Sequence, residues 1–332
     1  MVASESHVLD IRDLTIEFPV YGGAVRALDG VTLSVGAGEI VGVVGESGCG
    51  KSVMAMLSLR LLPDGRYRVI DGGVSLLGHD VLAAPERELV RLRGGQAAMV
   101  FQEPLTALNP TRRIGRQMIE VIRRHRPIDR AAAKTLAIRL LGDMRIADPA
   151  EIMERYPFEL SGGMRQRVLI ALAFSSEPAI VIADEPTTAL DVTVQRQVLS
   201  LLRRRARRSN AAILFITHDM GLVSQFTDRV YVMYAGRIVE TGPTDAVLSA
   251  PAHPYTRALL EGLPEQATPK ALLRAIPGNV PDLRQPPIGC GFANRCSHVF
   301  GKCAERPPLA PVSGAEGRRS ACWLDSLGSA EA

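Results

Sequence analysis

Eight consecutive residues of this sequence form a pattern that binds phosphate groups. The pattern is G-x-x-x-x-G-K-[ST], and it is met by Gly45, Glu46, Ser47, Gly48, Cys49, Gly50, Lys51 and Ser52. Glycines let successive backbone N–H groups turn toward an anion, and the N-terminus of a following helix adds its dipole. The pattern assigns Lys51 to the phosphates of a nucleotide and the Ser52 hydroxyl to Mg²⁺. Cys49 occupies a variable position, so we interpret it as a small filler and not as a nucleophile.

Polar side chains also follow two later apolar runs. Asp184 and Glu185 come directly after Ala179–Ala183, and His218 follows Ala212–Thr217. Ligands of open parallel α/β sheets bind at the carboxyl ends of the strands. A carboxylate at such an end could hold Mg²⁺ beside the phosphate loop, and we predict that Asp184 does so.

A second candidate anion site begins with a serine and two glycines. Ser161, Gly162 and Gly163 precede the apolar helical run Val168–Ala173. A hydroxyl, unpaired N–H groups and a positive dipole end together attract anions. Taken alone, the same residues could be a helix cap and nothing more.

The elements predicted around these residues have the order that phosphate chemistry needs. Apolar, β-branched Glu39–Val44 predicts a buried parallel strand before the phosphate loop, and Val53–Leu62 predicts a helix after it. A further strand is predicted at Ala97–Phe101. Helical spacing of apolar residues predicts helices at residues 114–125 and 130–144, which interrupt the strand–helix alternation as an inserted subdomain would.

The first part of the chain reads as antiparallel β-structure. Strand-like segments lie at Val8–Ile11, Leu14–Phe18 and Val31–Val35, with Tyr21 in a turn between them. Tyr21 could be an ordinary core or turn aromatic, or it could stack on an adenine ring.

Composition sets further bounds. The 332 residues suggest two or three domains, and 46% hydrophobic with 22% charged residues is typical of a globular protein with a sizeable core. A net charge of +4 is too small to indicate nucleic acid by itself. The first seven residues lack a signal-peptide pattern, and no apolar run is long enough to span a bilayer. We therefore expect a cytoplasmic protein with reduced thiols.

These motifs together resemble the ATP-binding subunits of ABC transporters. The matching residues, in chain order, are Gly45–Ser52, Gln102, Leu160–Arg167, Asp184–Glu185, Ala189–Asp191 and His218. The resemblance covers roughly residues 8–245, and its Ser-Gly-Gly signature is specific to this family. No position departs from the family's catalytic pattern, so the resemblance implies a competent ATPase.

Longer segments narrow the resemblance to the D-type ATPase of oligopeptide and dipeptide importers. These segments are Phe101–Pro110, Ala183–Thr193 and His253–Thr256. The implied fold is α/β: a P-loop NTPase core with a mostly parallel sheet, an antiparallel β portion at the N-terminus and an inserted ABC-type helical subdomain. We predict an ATPase domain at residues 5–245, its helical subdomain at about 103–165, and a loop-rich, cysteine-containing C-terminal extension at 246–332.

The resemblance also implies roles for single residues. Glu185 would orient or deprotonate the attacking water, His218 would contact the γ-phosphate and the water, and Gln102 would sense Mg²⁺. Tyr21 would stack on adenine, and Asp191 belongs to the nucleotide-binding set. In such ATPases Ser161 and Gly163 act on the nucleotide of a second subunit, and Gly162 belongs to the same nucleotide-binding set. Two subunits then enclose two ATP and reopen after hydrolysis.

The implied function is ATP-driven uptake of di- or oligopeptides. The implied partners are two membrane-spanning permease subunits, a second ABC ATPase subunit (a sibling chain) and an extracytoplasmic solute-binding protein, with no nucleic acid. The predicted location is the cytoplasmic face of the cell membrane, as a peripheral protein.

Other functions stay open at this point. The transported solute could be nickel or glutathione. A non-transport ABC ATPase acting on nucleic acid or ribosomes is a further alternative, although such chains usually carry two ATPase units or a long coiled-coil insertion. A non-catalytic redox module would lack Glu185 or Lys51, and both are present.

Four of the five cysteines lie in the predicted extension: Cys290, Cys296, Cys303 and Cys322. Their spacing is wider than that of usual zinc pairs or ferredoxin-type runs, so spacing alone names no metal. The segment Pro287–Cys296 resembles the cysteine-rich tail of peptide-importer ATPases, some of which carry a [4Fe-4S] cluster. The resemblance therefore implies such a cluster. Zn²⁺ is the alternative, because His298 could replace one thiolate in a zinc site. Few large apolar residues are available here, so we expect the metal to replace a core.

Overall fold

The computed structural model describes residues 7–102, 107–188, 190–262 and 276–324. Predictions that involve Glu103–Thr106, Ala189 or the first six residues lie outside these ranges. The chain divides into two compact units. The first is made mainly of Val35–Glu39 and Ala83–Phe215, and the second of Leu9–Ser34, Ile40–Leu82 and Ile216–Ala332.

Twelve strands and ten α-helices lie within the described ranges. The strands are β1 (His7–Val20), β2 (Gly23–Gly36), β3 (Ile40–Val44), β4 (Arg68–Leu76), β5 (His79–Asp80), β6 (Ala97–Val100), β7 (Ile180–Asp184), β8 (Ala212–Thr217), β9 (Arg229–Tyr234), β10 (Arg237–Pro243), β11 (Ala310–Pro311) and β12 (Arg319–Ser320). The helices are α1 (Lys51–Ser58), α2 (Glu86–Leu92), α3 (Ile114–His125), α4 (Arg130–Asp143), α5 (Pro149–Ile152), α6 (Gly162–Ala173), α7 (Val192–Ser209), α8 (Met220–Phe226), α9 (Thr244–Ser249) and α10 (Pro254–Glu261).

The second unit contains the predicted antiparallel sheet. Its strand order is β2-β1-β4-β5, and β1 pairs antiparallel with β4. The three predicted strand segments before residue 36 are confirmed, although the first two join into the single strand β1. Tyr21 lies in the turn between β1 and β2.

A mixed sheet in the same unit supports the phosphate loop. Its order is β11-β12-β10-β9-β3, with β3 parallel to β9 and the remaining pairs antiparallel. All five residues of β3 are buried, as its continuous apolar sequence predicts. The helix after the loop is shorter than predicted: α1 ends at Ser58, and Arg60 then takes a left-handed φ of +47°.

Strands β9 and β10 form a hairpin that was not predicted from the sequence. Its two-residue turn is Ala235–Gly236, with φ of +46° and +81°, the conformation that tight antiparallel hairpins favour. The hairpin ends β9 at Tyr234, which is buried. Tyr234 is part of the hydrophobic core of the second unit.

Residues of the predicted extension share the core of the second unit. Phe292 packs edge-on against Tyr234, with ring centroids 5.3 Å apart, and lies 5.4 Å from the Tyr255 ring. Val44 and Val232 of the sheet belong to the same buried cluster. Phe292, one of the few large apolar residues predicted for this segment, is therefore a core residue of the second unit.

The first unit combines three strands with a helical block. The strand order is β8-β7-β6, and β6 runs parallel to β7. The predicted helices α3 and α4 are confirmed, and α4 and α6 pack against each other. The Asp129 carboxylate caps α4 by accepting the N–H of Ala132 at 2.8 Å.

Candidate functional site

The phosphate loop lies between β3 and α1 in the second unit. Gly50 is the N-cap of α1 with a φ of +104°, and a Cβ there would lie 2.5 Å from the Ala27 carbonyl oxygen. A Cβ on Gly45 would lie 2.0 Å from the Met233 carbonyl oxygen. Neither position can hold a larger residue without moving backbone, so packing and conformation explain both fixed glycines of the pattern.

Lys51 is turned into this loop. Its side chain is buried, and Nζ donates to the carbonyl oxygens of Gly45 at 2.7 Å and Glu46 at 2.9 Å. The Cys49 sulfur lies 3.7 Å from Nζ. Burial raises the pKa of Cys49 above its ordinary value, although Lys51 opposes the shift. A neutral, buried thiol agrees with the interpretation of Cys49 as a filler.

In the first unit, Gln102 and Glu185 come together. The Gln102 side-chain amide donates to Glu185 Oε2 at 3.1 Å, and the Thr188 hydroxyl donates to the same oxygen at 2.9 Å. Asp184 precedes this group as the last residue of β7 and is 4% exposed. A carboxylate that accepts two hydrogen bonds is held in one orientation, as a group that orients water must be.

The backbone of Glu185 is also unusual. Its φ is +45°, a left-handed conformation that costs a non-glycine residue roughly 1 kcal/mol or more. Such conformations cluster at functional sites because the surrounding structure must maintain them. The strain therefore supports a functional role for this residue.

Thr188 was not singled out from the sequence. The only local signal is a hydroxyl residue three positions after a carboxylate.

Ser161 and Asp191 both begin helices of the first unit. Ser161 Oγ accepts the N–H of Met164 at 3.3 Å at the start of α6, and Asp191 Oδ1 accepts the N–H of Val194 at 3.0 Å at the start of α7. Ser161 is exposed, and the first two helical residues, Gly162 and Gly163, are half-buried. The helix-cap interpretation of Ser161 is thus correct as geometry, and an exposed hydroxyl that accepts one hydrogen bond can still donate another.

Two predicted residues are exposed in the second unit. His218 comes directly after β8. Tyr21 is 107% exposed relative to a reference tyrosine, so it is not a core residue. Its ring is accessible for stacking.

The four cysteines of the predicted extension line one small cavity. Cys290, Cys296, Cys303 and Cys322 surround about 10 Å³, together with His298 and Phe292. Burial raises the pKa of the Cys290 and Cys296 thiols, and the neighbouring Cys303 raises both further.

The expected iron–sulfur cluster is not supported by this arrangement. Among the described residues, no three His, Cys, Asp or Glu side chains are placed to hold a metal ion. The tertiary fold nevertheless gathers the four thiols around one cavity.

Mg²⁺ needs a different set of ligands. It prefers oxygen donors, and the predicted ligands Ser52, Gln102 and Asp184 can all supply oxygen. Ser52 is the second residue of α1, directly after Lys51. The chemistry of this donor set fits the ion.

Two contacts that involve the phosphate loop escaped the sequence analysis. Arg295 forms an ion pair with the Glu46 side chain, and the Tyr255 hydroxyl accepts the Glu46 N–H. Arg295 is 249 residues away from Glu46, and no local pattern could have indicated the pair.

Within the described residues, no helix is both long and apolar enough to cross a membrane.

Two stretches of the chain match models of known protein families. Residues 28–188 match the family model described as ABC transporter, and residues 239–303 match that of the oligopeptide/dipeptide transporter C-terminal region. In a dimeric post-hydrolysis structure of an ATP-binding cassette bound to ADP and Pi, the similar region covers 71% of this chain and 98% of that one. The TM-score is 0.64 at 24% identity, which shows the fold.

Curated relatives match over nearly the whole chain. The probable D,D-dipeptide transport ATP-binding protein DdpD of Escherichia coli (strain K12) is 58% identical over 95% of this chain and 96% of its own. The oligopeptide transport ATP-binding protein OppD of Bacillus subtilis (strain 168) is 44% identical over 93% of this chain and 87% of its own. The chain therefore belongs to the ATP-binding subunits of ABC transporters, in the oligopeptide/dipeptide class, and is an ATPase.

Proposed function

We propose that this ATPase powers the import of di- or oligopeptides. The observation that carries the proposal is the 58% identity, over nearly both full lengths, to a D,D-dipeptide transport ATP-binding protein. The match of residues 239–303 to the oligopeptide/dipeptide C-terminal region supports the same solute class. Nickel and glutathione are the alternative solutes.

The proposed complex contains two membrane-spanning permease subunits, a sibling ABC ATPase and an extracytoplasmic solute-binding protein. The chain would be peripheral, on the cytoplasmic face of the membrane. Its ATPase domain would span residues 5–245, with a helical subdomain at about 103–165 and an extension at 246–332. These boundaries follow the family resemblance.

The residues of the site would act through positioning and charge neutralisation, which is what phosphoryl transfer needs. Lys51 and the loop amides would bind the phosphates, and Tyr21 would stack on adenine. Glu185, oriented by Gln102 and Thr188, would hold the attacking water, with His218 beside the γ-phosphate. When bound through Ser52, Gln102 and Asp184, Mg²⁺ would neutralise phosphate charge.

Ser161 and Gly163 would act at the nucleotide of the partner ATPase, and Gly162 and Asp191 would belong to the nucleotide-binding residues. The exposed serine at the start of α6 is available for such a contact.

A basic run, Arg203–Arg205 with Arg207 and Arg208, lies near the end of α7, and several of its side chains make contacts within the chain. Arg205 and Arg208 lie 4.0 and 3.7 Å from the Asp143 carboxylate, and Arg207 donates to the Gly38 carbonyl oxygen at 2.9 Å. Side chains used in intramolecular contacts are poor candidates for a phosphate-backbone surface.

A metal site at the four cysteines, a [4Fe-4S] cluster or a zinc ion, stays a hypothesis. The shared cavity supports it, although no three His, Cys, Asp or Glu side chains of the described residues are placed to hold a metal ion. Anaerobic purification followed by iron, sulfide and zinc analysis is the test. Stoichiometric iron with sulfide would support a [4Fe-4S] cluster, zinc without sulfide would support the alternative, and no metal would leave the thiols a packing role.

Purification of the tagged chain from membranes tests the transport proposal. We expect permease subunits and a sibling ATPase to come with it. Reconstituted with the matching solute-binding protein, the complex should hydrolyse ATP faster when di- or oligopeptides are added. If nickel or glutathione stimulates hydrolysis and peptides do not, the transported solute is not a peptide.

A further inference from the structure

Glu46 of the phosphate loop is held by residues that lie more than two hundred positions further along the chain. The Arg295 guanidinium binds its carboxylate with both terminal nitrogens, Nη1 to Oε2 at 2.6 Å and Nη2 to Oε1 at 3.0 Å. The Tyr255 hydroxyl accepts the Glu46 backbone N–H at 2.9 Å. The Glu46 carbonyl oxygen in turn accepts from Lys51. The N–H, the carbonyl and the side chain of this one loop residue are therefore all engaged.

The Arg295 side chain is also held by groups other than Glu46. Its side chain is 4% exposed, and it donates to the carbonyl oxygens of Pro277 at 2.8 Å and Ile276 at 3.2 Å. Nη1 also lies 3.2 Å from the Tyr234 hydroxyl. A guanidinium held in this way loses little freedom on pairing with a carboxylate, which favours a well-defined bidentate geometry.

Tyr255 is equally constrained. It is fully buried, with its ring centroid 4.6 Å from that of Tyr234. Burial raises the pKa of Tyr255, so its hydroxyl stays protonated while its oxygen accepts the Glu46 N–H. The Tyr255 and Arg295 contacts thus reach the phosphate loop from one buried aromatic cluster.

The charge of Glu46 explains why such contacts would matter. A carboxylate in a loop that binds a triphosphate repels the ligand unless a cation neutralises it or holds it aside. Lys51 cannot serve both purposes, because its own proposed role is at the phosphates. Arg295 is the partner that pairs with Glu46 with short, charge-assisted hydrogen bonds.

We propose that Arg295 is a positioning residue for ATP binding, which neutralises Glu46, holds its side chain in place and, with Tyr255, sets the backbone of the phosphate loop. The proposal goes beyond peptide import, because it concerns MgATP alone and does not depend on the solute. Arg295 acts through Glu46 and does not itself contact nucleotide.

The test compares MgATP binding to purified full-length variants, together with KM and kcat in the assembled transporter. Arg295→Ala should weaken MgATP binding about tenfold or more and raise KM, because it leaves the Glu46 charge unpaired. The kcat at saturating ATP should change far less. Arg295→Lys keeps the positive charge but cannot bind the carboxylate with two nitrogens. Its affinity for MgATP should lie between those of Arg295→Ala and the wild type.

The decisive variant removes both charges. Arg295→Ala combined with Glu46→Gln should recover most of the lost affinity, because no unpaired carboxylate then faces the phosphates. Arg284→Ala is the matched control, since Arg284 forms an exposed ion pair with Asp282 in the same segment of the chain. It should bind MgATP like the wild type.

Two results would overturn the proposal. One is unchanged MgATP affinity in Arg295→Ala. The other is a double variant as weak as Arg295→Ala, which would make Arg295 a packing residue only. If Arg295→Ala does not fold, Arg295→Lys with a wild-type melting temperature decides the matter, and an unchanged affinity for MgATP in that variant would also reject the proposal. Loss of peptide stimulation in the wild-type complex would reject peptide import and leave this inference intact.

Discussion

The side-chain amide of Gln102 donates a hydrogen bond to the carboxylate of Glu185, 83 residues later in the chain, at 3.1 Å. The parallel register of β6 and β7 explains the meeting. Val100 is paired with Ala183, so the residues two positions beyond each of them leave the sheet at the same edge. The proposed Mg²⁺ sensor and the proposed water-orienting residue therefore occupy one hydrogen-bonded group in the first unit.

Replacement of Glu185 by glutamine tests its role as the water-orienting residue. The amide keeps the size of the side chain but loses the charge that acts on water, so hydrolysis should fall about a hundredfold or more while MgATP binding persists. ATPase assays and nucleotide binding on the assembled transporter measure both quantities. Glu154→Gln, at an exposed glutamate paired with Arg113, is the control. Hydrolysis at the wild-type rate in Glu185→Gln would contradict the assignment.

Replacement of Lys51 by alanine should impair MgATP binding itself. The buried ammonium lies inside the phosphate loop, and its loss removes the main positive charge of that loop. Direct titration of the purified chain with MgATP is the measurement. Lys134→Ala, at an exposed position of α4, serves as control and should bind normally. If Lys51→Ala binds MgATP as the wild type does, the loop does not bind phosphate as proposed.

Replacement of Ser161 by arginine tests whether the signature helix acts on a partner subunit. The large side chain should block hydrolysis at the partner's nucleotide and spare binding at the mutated chain's own loop. Ser161→Ala loses the same helix cap, worth about 1 kcal/mol, and the same hydroxyl without adding bulk, so the difference between the two variants measures obstruction by the arginine. Mixed complexes with one mutated chain provide the assay. Loss of binding confined to the mutated chain's own loop would refute the arrangement.

His253 should make stability depend on pH. Burial lowers the pKa of His253 to about 3, so the folded protein keeps this imidazole neutral, and its Nδ1 accepts the Tyr255 N–H at 3.0 Å. In the unfolded chain, the His253 imidazole takes up a proton near pH 6.5. The contribution of neutral His253 is therefore complete above about pH 6.5 and falls by about 1.4 kcal/mol per pH unit as the pH drops from there toward 3.

His253→Asn isolates this effect. Asparagine can accept the same N–H at a helix start and does not titrate in this range. Chemical denaturation at pH 7.5 and 5.5 should show a smaller loss of unfolding free energy in the variant than in the wild type. Equal losses in the two proteins would rule out His253 as the source of the pH dependence.

The phosphate loop shows how far local sequence can be taken. Gly50 needs a left-handed backbone, and Ser161, Asp191 and Asp129 cap helices that begin one residue later. Such features depend on a residue and its close neighbours, so the order of strand, loop and helix was predictable. The end of α1 was not predictable, because no glycine or asparagine marks the left-handed position at Arg60.

The cysteines show where this reasoning stops. Their spacing named no metal, and the expectation of a cluster came from resemblance alone. The fold brings the four thiols around one cavity, although the described residues hold no three such side chains placed to bind a metal ion. The positions of side chains from distant segments depend on how those segments pack.

The amino-acid sequence by itself determined the phosphate loop, the order of the strands and helices around it and the membership of the chain in its family, because these rest on local patterns of residue type and spacing. Only the tertiary structure decided that Phe292 joins the core, that Gln102 meets Glu185 and that Arg295 pairs with Glu46. In each case the partners are far apart in sequence. Their contact follows from the burial of apolar surface and the register of strands, which act between segments and leave no local signature.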